Sequence, residues 1–329
     1  MNENETTTIV SATIKEFTVD DLIDSFDNLL NGSGETIAKT GFEKLDEIIG
    51  GYIKGELVVI GSRPGMGNSS FLLNQLISIT DKQNVPAAFY SLQLSKEMIL
   101  ERLVSIKCQI HFNLFKIQQL NEKKQAEIRE ALLEIKKSPL FFYDSADCMI
   151  NDLYDQMLHD IKVNGVKLLF IDYLQLINSV RKRGSLRDEE LAYILRKFKK
   201  LAKENECCVV VTSTLSRSVE TRGGDKKPML SDLRESGSIE QLADKVFFIY
   251  RAEYYNITED EMGKSLLGKT NIIVAKNNRG PLTVATLNFN LATGLFSPEI
   301  DLDQINFKDL GGFTLRSRMR DDDIPTDPF

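Results

Sequence analysis

"VVIGSRPGMGNSSFLL", residues Val58 to Leu73, contains an apolar run, a Gly-rich turn and a helix-forming segment in that order. This order is typical of a P-loop, in which a strand leads through a glycine turn into a helix whose N-terminus holds phosphate. Asn68 stands where the phosphate-binding lysine is expected. On this pattern alone, a Gly-rich strand-to-helix turn with another purpose is an open alternative.

Short apolar runs alternate with amphipathic segments along the chain. The runs are "ELVVIG" (56–61), "AAFYSL" (87–92), "KLLFID" (167–172), "CCVVVTS" (207–213) and "KVFFIY" (245–250). Segments between them, such as "SKEMILERLVSIK" and "DEELAYILRKFKKLAKEN", have apolar residues at helical spacing. This alternation predicts an α/β fold with a mostly parallel, twisted sheet and helices on both faces. "TNIIVAKNN" and "LTVATLNFN" predict a hairpin that closes one sheet edge.

Composition indicates an ordinary globular protein of 329 residues, 42% hydrophobic and 27% charged. No apolar run is long enough to span a membrane and the start "MNENETTTIV" lacks a signal-peptide core, so we expect a cytoplasmic protein without a membrane partner. The four cysteines form no CxxC pair and are interpreted as buried small hydrophobes. The net charge of -7 argues against a generally basic nucleic-acid-binding surface but allows a local one.

The chain divides into three predicted parts. Residues 1–39 form an N-terminal segment with a linker helix at about 18–30, because "TVDDLIDSFDNLLNGSG" has an N-cap threonine, acidic first-turn residues and a glycine stop. Residues 40–297 form the main domain. Residues 298–329 form a flexible tail that ends in "DDDIPTDPF".

In a P-loop, backbone N–H groups surround the phosphate, a lysine neutralises its charge and a Ser or Thr hydroxyl binds magnesium. Here Ser69 supplies the hydroxyl, whereas Asn68 donates only a neutral hydrogen bond. Because a charge-assisted bond contributes about 1.5–3 kcal/mol against about 1 for a neutral one, we expect weakened triphosphate binding. The candidate nucleotide-binding residues are Arg63, Pro64, Gly65, Met66, Gly67, Asn68, Ser69 and Ser70.

The run "KKPMLSDLRESGSIEQLADKVFFIYRAEYY" (226–255) resembles the motor domain of the DnaB-type replicative DNA helicases, a hexameric branch of the RecA-like ATPases. "TGFEKLDEIIGGYIKGELVVIGSRPGMG", "LLFIDYLQLI" and "FKKLAKENECCVVVTSTLSR" support the resemblance, which covers about residues 40–296. It implies a RecA-like P-loop NTPase fold, ATP and Mg²⁺ as cofactors, self-assembly into a ring or filament, and single-stranded DNA as a partner. It also implies that the linker helix packs against a neighbouring subunit.

Matched to the family, several catalytic positions are substituted. Asp172 matches the intact carboxylate that positions magnesium together with Ser69. Gln93 falls at the catalytic glutamate and Thr214 at the polar sensor, usually glutamine. The resemblance assigns Lys276 to a basic residue offered to the neighbour's nucleotide. Asn278 stands at the arginine-finger position, and Arg279 follows it, facing away unless a bulge or turn re-aims it.

These substitutions predict a hydrolysis-deficient paralogue, because an amide cannot act as general base and losses within one catalytic unit compound each other. One alternative is an active ATP-dependent 5′–3′ helicase that uses Arg279 as a re-aimed finger and Lys54 or Lys276 as substitute cation. A second is a recombinase-like or regulatory module that caps an active hexamer. The intact Asp172 and Ser69 favour an enzyme.

DNA contact is predicted at "LRESG", where the resemblance carries over Arg234, Glu235 and Gly237. The loops "VRKRGSLR" and "SRSVETRGGDKK" add possible phosphate contacts, with solvated loop charge as the alternative. Their candidate residues are Arg181, Lys182, Arg183, Arg217 and Arg222. Neither loop has an aromatic residue on which a base could stack.

The tail "DDDIPTDPF" resembles the acidic tip of bacterial single-stranded-DNA-binding proteins, which docks on replication and repair partners. A purely solubilising end is the alternative. The family's helical N-terminal domain has no counterpart in this sequence, and the start "MNENETTT" favours a naturally short protein over a piece cut from a longer one.

Overall fold

The computed structural model describes residues 18–19, 23, 35–116, 120–145, 147–179, 187–233 and 236–299. In chain order its strands are β1 Thr36–Ala38, β2 Tyr52–Ile53, β3 Leu57–Ser62, β4 Ala87–Ser91, β5 Leu140–Asp144, β6 Cys148–Met149, β7 Leu168–Asp172, β8 Ile177–Asn178, β9 Cys208–Thr214, β10 Lys245–Tyr250, β11 Lys269–Asn277, β12 Val284–Asn290 and β13 Leu295–Pro298. Its α-helices are α1 Glu43–Ile49, α2 Asn68–Ile77, α3 Lys96–Cys108, α4 Asn113–Lys116, α5 Glu122–Lys137, α6 Ile150–Val163, α7 Arg187–Glu204, α8 Ser218–Thr221 and α9 Ser236–Leu242.

Nine strands of the described chain form one sheet in the order β13-β12-β11-β10-β3-β9-β7-β4-β5. The six strands from β10 to β5 run parallel, and β11, β12 and β13 are antiparallel to their neighbours. The mostly parallel sheet is therefore confirmed. The predicted β11–β12 hairpin is present, but β13 pairs outside β12, so the hairpin does not form the edge as expected.

Helices cover both faces of the sheet, as predicted. Val58 and Ile60 of β3 belong to a core that contains the buried leucines of α2, whereas Leu57 and Val59 face a second core with α6 and α7. Alternate residues of one strand point to opposite faces, so every residue of the central strand is buried. This explains why these strands read as continuous apolar runs rather than alternating ones.

The strand register aligns the carboxyl ends of four parallel strands. Ser62 at the end of β3 pairs with Thr214 of β9, and Asp172 at the end of β7 pairs with Ser91 of β4. The segments that follow these strands therefore emerge at one edge of the sheet, where ligands bind in open α/β folds.

The two ends of the chain lie largely outside the described residues. Of the linker helix predicted at about 18–30, the structure describes Thr18, Val19 and Ile23, and the tail is described only to Glu299. Near the start of the described domain, β1 pairs antiparallel with β2. Among the described helices, none combines the length and the apolar character needed to cross a membrane.

Candidate functional site

The Gly-rich turn between β3 and α2 requires its glycines. Gly65 and Gly67 have φ values of 83° and 105°, in the left-handed region that L side chains rarely adopt. A Cβ on Gly67 would also lie 3.2 Å from Phe289 and 3.3 Å from Phe296. The turn thus holds its backbone close against an aromatic wall while α2 begins at Asn68.

A cavity of about 330 Å³ opens at the carboxyl edge of the sheet beside this turn. It brings together most of the predicted nucleotide residues. Its lining consists of Arg63, Pro64, Gly65, Gly67, Asn68, Ser69, Ser70, Gln93, Leu94, Arg102, Phe112, Asp172, Tyr173, Thr214, Phe289 and Leu291. The cavity therefore combines a backbone cradle, oxygen ligands, amides and an apolar side in one place.

Asp172 lies at the centre of the polar part. Its carboxylate accepts hydrogen bonds from the hydroxyls of Ser69 and Thr212, the latter at 2.6 Å. Burial raises the pKa of Asp172, while these two hydrogen bonds and the positive charge of Arg102 act against that rise. The serine and aspartate oxygens are the hard donors that Mg²⁺ prefers, so this pair fits a magnesium ion.

Amides occupy the two positions where the chemistry of phosphoryl transfer needs charge. Asn68 begins α2 in the cavity lining, and its Oδ1 atom is buried with no hydrogen-bond partner in the described part of the chain. Gln93 follows β4 and lines the same cavity with an exposed side chain. Both groups are neutral, so neither compensates phosphate charge or accepts a proton from water.

Arg102 is the cation in this cavity that sequence reasoning missed. It lies on α3, the helix that follows β4 and Gln93, and its side chain faces the cavity within electrostatic range of Asp172. Burial lowers its pKa, and the charge of Asp172 opposes that shift. The sequence feature that could have indicated Arg102 is its place on the first helix after β4, a strand whose carboxyl end lies at the cavity.

Two other predicted nucleotide residues use their side chains elsewhere. The Arg63 guanidinium donates to the Leu215 carbonyl at 2.8 Å and to the Glu220 carboxylate at 2.8 Å. Met66 is buried in the core on one sheet face and does not line the cavity. Both residues belong to the turn, so their predicted part in nucleotide binding rests on the backbone rather than on these side chains.

Arg251, which sequence reasoning also missed, contacts the backbone of the glycine turn. Arg251, buried at the end of β10, donates to the Gly65 carbonyl at 3.3 Å and to the Glu253 carboxylate. Its guanidinium also stacks on Phe289, 4.8 Å from the ring centroid. This arginine fixes the glycine turn against the apolar side of the cavity.

The residues predicted to act on a neighbour lie at the other edge of the sheet. β11 runs antiparallel to β10, so its end pairs with the start of β10. Lys276 there donates to the carbonyls of Glu240 and Ala243, at 2.7 and 2.6 Å. The register shifts at this point, as a bulge would require.

Arg279 follows in the turn after β11 and forms an ion pair with Glu35. Asn278 donates its backbone N–H to the Asp244 carbonyl at 3.1 Å. Lys54 precedes β3 at the same edge, where it lies 3.6 Å from Glu206. The predicted replacement of the missing cation by Lys54 or Lys276 is therefore wrong within one chain, because both lysines lie at the sheet edge opposite to the cavity.

Part of the predicted DNA contact falls outside the described residues, namely Arg181, Lys182, Arg183, Arg234 and Glu235. Among the others, Arg217 is exposed and Gly237 has open space around its α-carbon. Arg222 instead forms an ion pair with Asp232. The structure also brings aromatic residues to the second loop, with Lys226 lying 5.3 Å from the centroid of the Tyr255 ring.

Comparison with known proteins places this geometry in a family. The chain is 34% identical over 274 residues to the replicative DNA helicase DnaB of Geobacillus stearothermophilus, covering 82% of this chain and 59% of that protein. It is 37% identical over 258 residues to a probable plasmid replicative DNA helicase of Chlamydia psittaci, covering 78% and 55%. The chain thus spans somewhat more than half the length of these relatives.

Solved structures agree with the sequence matches. One solved ATPase domain aligns with a TM-score of 0.78 at 30% identity, covering 86% of this chain and 99% of that one. A DnaB-like replicative helicase, studied with its interactions with primase, aligns with a TM-score of 0.75 at 30% identity, covering 86% and 67%. The profile of the DnaB-like helicase C terminal domain matches residues 38–298. Fold, cavity and these matches together show that the chain belongs to the DnaB-like helicase family, and that its residues 38–298 correspond to the C-terminal domain of that family.

Proposed function

We propose that this protein is a hydrolysis-deficient member of the family, which binds ATP and Mg²⁺ with weakened affinity and acts mainly by assembling and binding DNA or replication proteins. The observation that carries the proposal is the pair of amides in the cavity, Asn68 and Gln93, beside an intact Ser69–Asp172 pair. The backbone cradle and the Ser69–Asp172 pair are kept, whereas amides stand at the positions of the lysine and of the catalytic glutamate.

Nucleotide binding rests on groups that this chain still has. The glycine turn presents backbone N–H groups and the start of α2 to phosphate, and Phe112, Phe289 and Leu291 offer an apolar side to a base. Magnesium, when bound by Ser69 and Asp172, supplies charge compensation to the phosphates. Without the lysine, we expect triphosphate affinity about tenfold or more below that of a complete P-loop.

Slow hydrolysis follows from the neutral side chains. Charge builds on the transferred phosphoryl oxygens in the transition state, and a positioned cation stabilises it far more than an amide does. Gln93 can orient a water molecule by hydrogen bonds, but it cannot take its proton. Thr214 keeps a hydroxyl at the sensor position, and its backbone N–H donates to Gln175 at 3.2 Å.

Arg102 favours a second candidate function, an active helicase with an altered site. Its guanidinium lies in the cavity near Asp172, where it can bind phosphate in place of the missing lysine. A catalytic proton acceptor is still missing in this reading. We therefore give Arg102 a role in binding, and the rate of hydrolysis decides between the two functions.

Assembly is part of the proposal because the two halves of a complete site lie at opposite sheet edges. The cavity is at the carboxyl edge, whereas Lys276 and Arg279 are at the other. Lys276 and Arg279 can therefore reach only a nucleotide that is bound in the cavity of an adjacent copy. We propose a ring, with a hexamer as the expected form, in which Lys276 and the displaced Arg279 face the neighbour's cavity.

Single-stranded DNA is the proposed polymer partner. The 215–227 segment presents the exposed Arg217 and Lys227, and its Lys226 lies over the Tyr255 ring, a combination that suits phosphates and stacked bases. The tail "DDDIPTDPF" is proposed to bind basic pockets on replication or repair proteins. Both contacts are independent of ATP turnover.

The test is ATP hydrolysis by the unaltered chain, with and without oligo-dT, beside the variant Asn68→Lys/Gln93→Glu. We expect little turnover by the unaltered chain and DNA-stimulated turnover by the variant. Adding Asp172→Asn to the variant should abolish the recovered activity, which serves as the control for a contaminating ATPase. DNA-stimulated turnover by the unaltered chain would refute hydrolysis deficiency and support the Arg102 alternative.

A further inference from the structure

Arg63 is a residue of the glycine turn, yet its side chain leaves the phosphate cradle. Only 8% of this residue is exposed. Its Nη1 donates to the Leu215 carbonyl at 2.8 Å, and its Nε and Nη2 both lie 2.8 Å from Oε1 of Glu220. The planar guanidinium thus has three contacts to one segment of chain, a geometry that a lysine cannot reproduce.

The segment that Arg63 holds is the 215–227 loop, which runs from the sensor residue to the basic residues. Leu215 follows Thr214 directly, and its N–H donates to the Ser62 carbonyl at 3.0 Å. Glu220 is on α8 within the loop. The loop is therefore tied to the end of β3 by a backbone bond and to the glycine turn by a side-chain fork.

The far end of this loop is fixed as well. The Tyr250 hydroxyl donates to the Asp225 carbonyl, and Lys226 lies over Tyr255. Arg222 of the loop forms its ion pair with Asp232, a buried residue that follows the loop in the chain. The loop is therefore held at both ends, by the glycine turn and the end of β3 at one and by Tyr250 and Tyr255 at the other.

We infer that Arg63 is a positioning residue that, through Glu220, couples the nucleotide cavity to the 215–227 loop and so sets the affinity of that loop for single-stranded DNA. The inference rests on the proposed function for its ligands. Arg63 touches no phosphate in this role. Its partner Glu220 is outside the cavity lining, which allows the role to be tested apart from nucleotide binding.

The experiment measures binding of fluorescein-labelled oligo-dT by anisotropy, with and without Mg²⁺-ATP, and binding of ATP by calorimetry. The variants are Arg63→Met, Glu220→Met, their combination and Arg63→Lys. Matched controls are Arg196→Met and Glu189→Gln, which alter exposed residues of α7. Circular dichroism verifies that each variant is folded.

We expect ATP to change the DNA affinity of the unaltered chain by about fivefold or more, the lower end of typical coupling between two linked sites. Arg63→Met and Glu220→Met should both reduce that ratio to about one, and the double variant should equal the single ones. Arg63→Lys should restore part of the ratio. ATP affinity should stay unchanged in Glu220→Met.

Three results would overturn the inference: no effect of ATP on DNA affinity in the unaltered chain, an intact ratio in Glu220→Met, or loss of ATP binding in Arg63→Met alone. The last would make Arg63 a phosphate ligand. If the unaltered chain binds neither ligand, the proposed function fails separately. Hydrogen exchange of residues 216–222 then decides, because faster exchange in both variants supports positioning and unchanged exchange refutes it.

Discussion

At the scale of single residues, the candidate nucleotide cavity has a cation on α3 and none at position 68. Position 68 presents an amide at the start of α2, while Arg102 projects into the same cavity from α3. A guanidinium delivers positive charge and paired donors to phosphate oxygens, but it approaches from a different helix than a P-loop lysine does. Such a cation can hold a ground-state phosphate without being placed for the transition state.

Arg102→Met should weaken Mg²⁺-ATP binding by about tenfold or more, because a charge-assisted hydrogen bond contributes about 1.5–3 kcal/mol. Arg102→Lys should recover part of this loss. Isothermal titration calorimetry measures the dissociation constants, with Arg129→Met on the exposed face of α5 as the control. Equal affinities for Arg102→Met and the unaltered chain would remove Arg102 from the site.

At the scale of elements, the glycine turn depends on how β3 packs between its neighbours. Gly61 of β3 pairs with Phe248 of β10, and a Cβ at Gly61 would lie 2.9 Å from the Phe248 ring and 3.0 Å from Leu233. Because Gly61 has no side chain, the Phe248 ring of the neighbouring strand β10 can pack directly against the backbone of β3. This close packing positions the end of β3, where the turn begins.

Gly61→Ala should lower the free energy of unfolding by about 1–3 kcal/mol, the usual cost of overpacking a core. Urea denaturation followed by circular dichroism measures it. Gly223→Ala is the matched control, because Gly223 has open space around it and should change stability little. Adding Phe248→Leu should relieve part of the Gly61→Ala loss, and a further loss instead would contradict the packing argument.

At the scale of the whole molecule, the proposed assembly requires each chain to contribute to two sites. The cavity with Asp172 belongs to one edge of the sheet, and Lys276 to the other, where it donates to the carbonyls of Glu240 in α9 and of Ala243 just after it. A lysine there stabilises the helix end in the free chain. In an assembly the same cation would be available to a phosphate of the adjacent copy.

Mixed assemblies test this arrangement. The variant Asn68→Lys/Gln93→Glu/Lys276→Met repairs the cavity but lacks the lysine for its neighbour, whereas the unaltered chain has the lysine and a defective cavity. Because a cation supplied in trans can raise phosphoryl transfer by orders of magnitude, the mixture should hydrolyse ATP at least about tenfold faster than the two proteins separately.

The control mixture replaces the unaltered chain with its Lys276→Met variant and should show no gain. An equal gain in the control would contradict a role of Lys276 in trans. Circular dichroism of the Lys276→Met variants checks that loss of the α9 contact has not unfolded the helix. Analytical ultracentrifugation of each mixture reports whether the chains assemble.

Sequence pattern alone was enough to predict the sheet and a P-loop-like turn after one of its strands. Continuous apolar runs between amphipathic segments dictate a parallel sheet with covered faces, and parallel strands bring their carboxyl ends to one edge. Asp172, Gln93 and Thr214 were selected by the resemblance to the DnaB-type motor domain, and in the structure each lies at or just after the carboxyl end of a strand. Their position at that edge depends only on strand direction, whereas their selection depended on the family resemblance.

Which side chains share the cavity became evident from the folded chain alone. Arg102 in the cavity and Arg251 against the glycine turn come from elements far apart in the chain, and Arg63 turns away from the phosphate cradle toward Glu220. The antiparallel course of β11 likewise means that Lys276 cannot serve its own cavity. A side chain's direction depends on contacts between distant segments, and periodicity along the sequence does not encode them.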